Sequence, residues 1–538
     1  MPAAIALVRP RQGLCPPKPT RGQGRGETWF PHTPAPAAYL HVRKMLQNLD
    51  HTMNPEHIDI LIVGAGLSGI AAAYYLQTRC PTQRFAILEA RDTIGGTWDL
   101  FRYPGVRSDS EMYTLGYSFR PWREKKAIAD GPSILRYIRE TACAFGIDRH
   151  IRFQHRVRRA SWSSDEGRWT VEVERGPEGT PLRFTCAFLF MCSGYYDYAS
   201  GYTPDWPGVE RFGGRIVHPQ HWPEDMEYRG KCVVVIGSGA TAITLVPALA
   251  ERGAQVTMLQ RSPTYVLARP SEDGVALALQ RLFPPALATR ATRWKAVLVN
   301  MLFYYLARWF PRATKQAIIR MAQQHLGPGY DVATHFTPRY NPWDQRLCLA
   351  ADADLFRAIR SGRATVVTDE IATFTERGLR LCSGRELEAD VIVTATGLVI
   401  KLMGGAELVV DGRPVDLAST LSYKGMMYSD IPNLASAFGY TNASWTLKCE
   451  LTAAYVCRLL NYMERHGYRQ CTPRRRDPNL GTVPALDFTS GYVLRALDRL
   501  PRQGVKKPWK LYQNYLLDLL SLRFGPINDG VLEFRGPE

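Results

Sequence analysis

Two glycine-rich turns, each lying between an apolar run and a helix-forming stretch, constrain this 538-residue chain more than any other feature. The first is Ile58-Asp-Ile-Leu-Ile-Val63, then Gly64-Ala-Gly66-Leu-Ser-Gly69, then the helix-forming Ile70 to Gln77. The second is Cys232 to Ile236 followed by Gly237-Ser-Gly239-Ala-Thr-Ala242. A strand, a tight turn and a helix in so few residues predict a parallel βαβ unit. Its glycines let the backbone turn and approach an anion at the helix N-terminus. The predicted fold class is therefore α/β, with two Rossmann-like dinucleotide-binding domains.

The units differ where their second strands end. Twenty residues after Gly69 an apolar run closes on Glu89, an acid suited to a ribose; the strand Gln255 to Leu259 instead closes on Gln260-Arg261-Ser262. A carboxylate there would repel the extra phosphate of NADP, whereas the Arg261 guanidinium offers that phosphate a fork of donors. FAD is thus assigned to the first unit and NADPH to the second. The alternative for Arg261 is a solvated surface arginine.

Length and 45% hydrophobic content suit a soluble enzyme of two to four domains. Of the net charge of +17, residues 1–52 contribute +5, which leaves a diffuse basicity of +12. Such basicity can attract NADPH, anionic lipid or nucleic acid; with no recognisable nucleic-acid module, no nucleic-acid partner is expected. The eleven cysteines form no CxxC pair and no metal-ligand spacing, so buried reduced thiols in a cytoplasmic protein and no metal are expected. The absence of CxxxxC after the first turn argues against a flavin-linked disulfide reductase.

Residues 1–52, with eight prolines and no signal-peptide core, are expected to be a disordered basic extension, with translation starting at Met45 or Met53 as one option and a transit peptide as another. Residues 53–205 are read as the first part of the FAD domain and 206–370 as the NADPH domain, with a helical insertion at about 270–340. Residues 371–480 are read as the FAD-domain return and 481–538 as a segment packed on the body. The apolar runs Phe188 to Gly194 and Val391 to Gly397 are both placed in the first domain. Gly95 to Asp109 cannot be a regular helix across Tyr103-Pro104-Gly105, so it is read as a loop near the flavin. Within the insertion, Ala296 to Ala307 is apolar apart from Asn300, and twelve residues are too few for a bilayer, which needs about 20. The stretch 291–321 is read as a helix walling the substrate cavity, or alternatively as an interfacial helix on anionic lipid, which would make the protein membrane-associated.

Two longer patterns carry a family resemblance. Phe212, Gly214, His218, Trp222 and Pro223 meet FxGxxxHxxxW followed by Pro, and Gly95, Gly96, Trp98, Tyr103, Pro104, Gly105 and Asp109 meet GGxWxxxxYPGxxxD. The chain resembles the type I Baeyer–Villiger monooxygenases. Stretches such as HPQHWPED, YNPWDQRLC and GYTNASWTLK resemble their ethionamide-activating subgroup. The resemblance implies FAD, NADPH and O2 as cofactors and a C4a-peroxyflavin that converts ketones to esters or lactones or oxygenates thioethers, thiones or thioamides. Alternatives are a heteroatom-oxygenating flavin monooxygenase and a non-oxygenating NADPH oxidase. The implied substrate is a hydrophobic small molecule.

Arg346 matches the family's oxygenation arginine and Asp109 the aspartate that positions it. Expected FAD contacts are Gly64, Gly66, Ser68, Gly69, Glu89, Thr97, Trp98, Asp99, Leu100, Asp109 and Val157. Expected NADP contacts are Arg107, Ser108, Asp109, Gly237, Ser238, Gly239, Ala240, Thr241, Ala242, Gln260 and Arg261. Phe212, Gly214, His218 and Trp222 form the linker fingerprint, and His218 is read as a linker hydrogen-bonder rather than a general base.

Overall fold

In the computed structural model, which describes residues 55–486 and 488–537, both glycine turns leave the ends of buried parallel strands. The expectations for residues 1–52 lie outside the described residues. The first unit contains β1 (Ile60–Val63), α1 (Leu67–Arg79), β2 (Phe85–Leu88), α2 (Gly131–Ala144), β3 (Ile151–Arg152) and β4 (Phe188–Met191). The second contains β5 (Arg215–Val217), β6 (Cys232–Ile236), α3 (Ala240–Glu251), β7 (Gln255–Gln260), an insertion of α4 (Gly274–Leu282), α5 (Pro285–Trp309) and α6 (Pro311–Leu326), then β8 (Ala364–Thr368) and β9 (Val391–Thr394). Toward the C-terminus lie β10 (Leu434–Ser436), α7 (Trp445–His466) and α8 (Tyr515–Phe524).

The first sheet has the order β10-β4-β1-β2-β3 and the second β5-β9-β6-β7-β8, every pairing parallel. Both faces of each sheet are covered, which is why the strands read as unbroken apolar runs. Ile60 and Ile62 face α1 and α7, while Leu61 and Val63 pack with Trp162 and Trp169 of an antiparallel meander over residues 155–186. In the second sheet Val233 and Val235 face α3, and Val234 and Ile236 face Phe212 and Phe374.

One strand assignment is corrected. Val391–Thr394 does not return the chain to the first sheet; it pairs with Cys232–Ile236 and Arg215–Val217 inside the second. A strand buried on both faces shows the same apolar run in either sheet, so only its partners decide. The return is made by Leu434–Ser436 beside Phe188–Met191. The second sheet thus takes in chain beyond residue 370.

The two crossings between the sheets pair with each other. Tyr196–Gly201 runs out and Leu398–Ile400 runs back, antiparallel, with Gly201 opposite Leu398 and Tyr196 opposite Ile400. The Gly95–Asp109 loop contains a single helical turn, Thr97–Leu100, before Tyr103-Pro104-Gly105 breaks it. Among the described residues no helix is long and apolar enough to cross a membrane.

Candidate active site between two dinucleotide folds

The two glycine turns have the same construction. Gly64 N–H donates to the Leu88 carbonyl and Gly237 N–H to the Leu259 carbonyl, both at 2.8 Å. Both residues hold positive φ, +107° and +129°. A Cβ on Gly64 would lie 2.6 Å from the Cys192 carbonyl oxygen, and one on Gly237 2.3 Å from that of Ala395. In each unit the end of a neighbouring strand therefore excludes a side chain, and the backbone N–H groups opening the helix stay free for an anion. Gly239 has open space where a Cβ would stand, as a site for close phosphate approach requires.

Glu89 is buried, and burial raises its pKa. Its carboxylate accepts from Ala65 N–H at 2.7 Å and from Arg91 N–H at 2.9 Å, which fixes it at the end of β2 facing the first turn. Arg261, at the end of β7, is exposed and makes no ion pair among the described residues. Free donors at one end and a buried acid at the other fit an NADP phosphate and an FAD ribose respectively.

A single cavity of about 1220 Å3 joins the two halves and is lined by Gly64, Gly66, Ser68, Glu89, Gly237, Gly239 and Arg261. Between them stands Arg346. Its Nε donates to Asp109 Oδ2 at 2.9 Å and its Nη2 to Oδ1 at 2.7 Å, a fork to a carboxylate 237 residues away in sequence. Asp109 raises the guanidinium's pKa further, so Arg346 stays cationic. Its side chain is 36% exposed, and it lines the cavity. The loop carrying it is tied on two sides: Arg308 of α5 reaches Asp344 at 2.9 Å, and Thr489 N–H donates to the Asp344 carbonyl at 2.9 Å.

The sequence placed Trp445 in a stretch that carries the family resemblance and Tyr492 in the segment packed on the body, but it gave none of the aromatics around this pair a role in the site. Tyr195 stacks on Trp445, ring centroids 4.9 Å apart, and its hydroxyl meets that of Tyr196 at 2.6 Å; Tyr492 completes the lining. They come from three chain segments far apart in sequence, so no local signal could have gathered them. Cys348 also lines the cavity, but burial pushes its thiol up to about 12, which leaves it protonated and unreactive.

Thr97, Trp98, Val157, Ser108, Ser238, Ala240 and Thr241 line the same cavity. Ser68 Oγ receives the Trp445 indole N–H at 3.0 Å. Several expected contacts are placed otherwise. Asp99 is 1% exposed and turns inward to Arg91 at 2.6 Å and Arg139 at 2.8 Å, so it positions Arg91, which does line the cavity. Leu100 and Ala242 pack into the core of the second unit. A Cβ on Gly69 would lie 1.9 Å from the Gly64 carbonyl oxygen; this glycine serves helix-to-turn packing. Gln260 is buried and donates to the His335 carbonyl and the Thr368 hydroxyl. Arg107 lines the cavity, but its guanidinium is engaged by Asp354 and the Leu349 carbonyl, which latches the first unit's loop to the second.

The insertion 270–340 contributes no residue to the cavity lining. Its amphipathic helices pack alongside, and Arg293 reaches the Gly116 carbonyl and Glu450, both at 2.7 Å.

Of the linker residues, His218 sits at the crossing ribbon. A Cβ on Gly201 would strike the His218 ring at 2.0 Å, and His218 Nε2 lies 3.2 Å from the Gly397 carbonyl oxygen. His218 therefore touches both crossings, and burial lowers its pKa. Phe212 packs near Phe374, Gly214 lies against the Phe212 ring, and Trp222 rests on the second core.

The flavin-binding monooxygenase-like family model matches residues 59–402. The chain belongs to that family. It is 56% identical over 480 residues, 89% of this chain and 98% of the other, to the FAD-containing monooxygenase EthA of Mycobacterium tuberculosis. To the putative FAD-containing monooxygenase MymA of the same organism it is 49% identical over 484 residues, again 89% of this chain and 98% of the other. Among solved structures, an oxidized steroid monooxygenase bound to NADP superposes with TM-score 0.70 at 22% identity, covering 89% of this chain and all of that one. An open structure of cyclohexanone monooxygenase superposes with TM-score 0.69 at 19% identity, with 89% and 100% coverage. The protein is a flavin-dependent monooxygenase acting on a small molecule, built on the fold of two dinucleotide-binding domains.

Proposed function

We propose that the protein uses FAD, NADPH and O2 to insert oxygen into hydrophobic ketones, giving esters or lactones, and that it also oxygenates thioethers, thiones or thioamides. The observation that carries this reading is the Arg346–Asp109 fork standing in one cavity between a turn suited to FAD and a turn suited to NADPH. Bound flavin, reduced by the nicotinamide, supplies the activation of O2. The protein's share is electrostatic and geometric. The Ala65–Glu89 bond and the Gly64 turn orient one dinucleotide, while Gly237, Gly239 and Arg261 receive the other. Arg346 places a permanent cation where negative charge develops on oxygen, and Asp109 holds its fork in one orientation. Tyr195, Trp445 and Tyr492 offer the substrate an aromatic, water-poor wall.

The test is NADPH consumption by the FAD-loaded protein with a panel of aliphatic and aryl ketones and one thioether, following ester, sulfoxide and hydrogen peroxide together. Ester formed in step with NADPH is expected. Sulfoxide alone would move the reading to heteroatom oxygenation, and peroxide without product across the panel would refute oxygen insertion.

The reading includes a cytoplasmic protein that rests on anionic membrane. Trp294, Leu298, Leu302, Leu306 and Trp309 form one exposed stripe of α5; Leu282 and Phe283 at the end of α4, and Leu520 and Phe524 of α8, are exposed as well. Arg290 and Arg523 are exposed on these helices, and Arg312 and Arg320 on the adjoining α6. Apolar side chains flanked by cations suit an interfacial helix on anionic lipid. Sedimentation with phosphatidylglycerol vesicles is expected to pull the protein down, and Leu298→Glu/Leu302→Glu to release it; equal partition of both proteins would refute the contact.

A further inference from the structure

The C-terminal segment encloses a second cavity, of about 360 Å3, on the far side of Tyr440 from the oxygenation cleft. Among the described residues Tyr440 is the one side chain lining both. The walls are chiefly apolar, with Leu486, Leu500, Leu511 and Leu522 among them. Two buried ion pairs face the space. Lys424, 7% exposed, meets Asp529 at 3.0 Å, and Lys448, 6% exposed, meets Asp518 at 2.8 Å. Asp529 also accepts from the Tyr423 hydroxyl at 2.7 Å and Asp518 from the Tyr440 hydroxyl at 2.8 Å.

These inner charges compensate one another, so a further anion placed among them would meet carboxylates as well as ammonium groups. The mouth is different. Lys507 and Lys510 are exposed, flank the Tyr512 ring at 5.5 Å each, and make no ion pair among the described residues. The lining therefore carries an uncompensated double positive charge, all of it at the entrance.

We propose that this cavity is a ligand site separate from the oxygenation cleft, and that it takes an anionic amphiphile. The apolar chain lies among the leucines, and a carboxylate or phosphate head rests at Lys507 and Lys510. A volume of about 360 Å3 lies near the lower end of the roughly 300–1000 Å3 range of small-molecule sites, which favours a chain of medium length over a large ring system.

The test is calorimetric titration of the protein, loaded with FAD and NADP+, with decanoate, decyl phosphate and decanol in parallel. One saturable site for an anion is expected, with decanol at least about tenfold weaker, as loss of a charge-assisted contact implies. The anion that binds more tightly identifies the head group. Lys507→Ala/Lys510→Ala, an exposed double variant, is expected to weaken decanoate about tenfold while NADPH consumption stays unchanged. Leu486→Trp fills the cavity and should abolish binding. Decanol binding as tightly as decanoate would overturn the proposal, as would decanoate binding unaffected by the double variant, which would place the anion at Arg346 in the cleft.

Discussion

Asp109→Asn tests whether the arginine fork governs oxygenation. In the structure Asp109 accepts two charge-assisted hydrogen bonds from Arg346, at 2.9 and 2.7 Å. An asparagine of the same shape keeps one acceptor and turns an NH2 group toward the other guanidinium N–H, so one bond is lost. A hydrogen bond to a charged group contributes about 1.5–3 kcal/mol. The two side chains are 36% and 26% exposed, so solvent screening reduces this to about 1–2 kcal/mol. At about 1.4 kcal/mol per tenfold, the correctly aimed guanidinium should be depleted about 5- to 30-fold. The assay is product formed per NADPH consumed, with peroxide followed by a coupled peroxidase and bound flavin by its absorbance. The expected result is a fall in product and a matching rise in peroxide at unchanged flavin content. Arg346→Lys should behave at least as badly, because an ammonium keeps the charge but cannot form the fork. An Asp109→Asn protein with product per NADPH within twofold of the parent would refute the reasoning.

Three further outcomes follow from the geometry. Arg261→Ala should raise KM for NADPH by about tenfold and leave KM for NADH nearly unchanged, since one charge-assisted contact to the 2′-phosphate is removed; a parallel rise for both nucleotides would exclude the phosphate role. Gly64→Ala and Gly239→Ala should differ: the first places a Cβ 2.6 Å from a carbonyl oxygen at φ +107° and should purify without flavin, while the second meets nothing within 4 Å and should fold normally with a weakened NADPH step. Flavin absorbance and thermal melting separate the two. Burial lowers the pKa of His155, His218 and His335. Below about pH 6.5 the unfolded chain therefore binds protons that the folded chain resists, and stability present above that pH is lost as pH falls. A lower Tm at pH 5.5 than at pH 7.5 is expected, and equal values would show that these rings titrate freely.

Both nucleotide turns were legible in the sequence because their causes are local. Gly64 and Gly237 need positive φ and a bare Cα within a few residues of a strand end, and Glu89 and Arg261 follow at fixed distances on the next strand. Arg346 and Asp109 were legible by resemblance, through motifs that contain them. Three readings went astray because their answers depend on distant partners. Val391–Thr394 is apolar for burial in any parallel sheet, and only its register with Cys232–Ile236 places it in the second. Asp99 lies in a cofactor-adjacent loop, yet arginines from two other segments turn it inward. The insertion has the apolar content of a cavity wall, yet its apolar stripe is exposed and none of its residues lines the site.

The sequence by itself determined that this chain makes two glycine turns at strand ends and that the next strands end in unlike charges, Glu89 and Arg261, because turn sterics and strand-end residues act over a few residues. Only the tertiary structure decided that the turns share one cavity, that a guanidinium and a carboxylate 237 residues apart meet in it, and that Tyr195, Trp445 and Tyr492 enclose them. Those contacts arise from sheet order and from the paired crossings between the sheets, and the packing that sets them leaves no periodic trace in the chain.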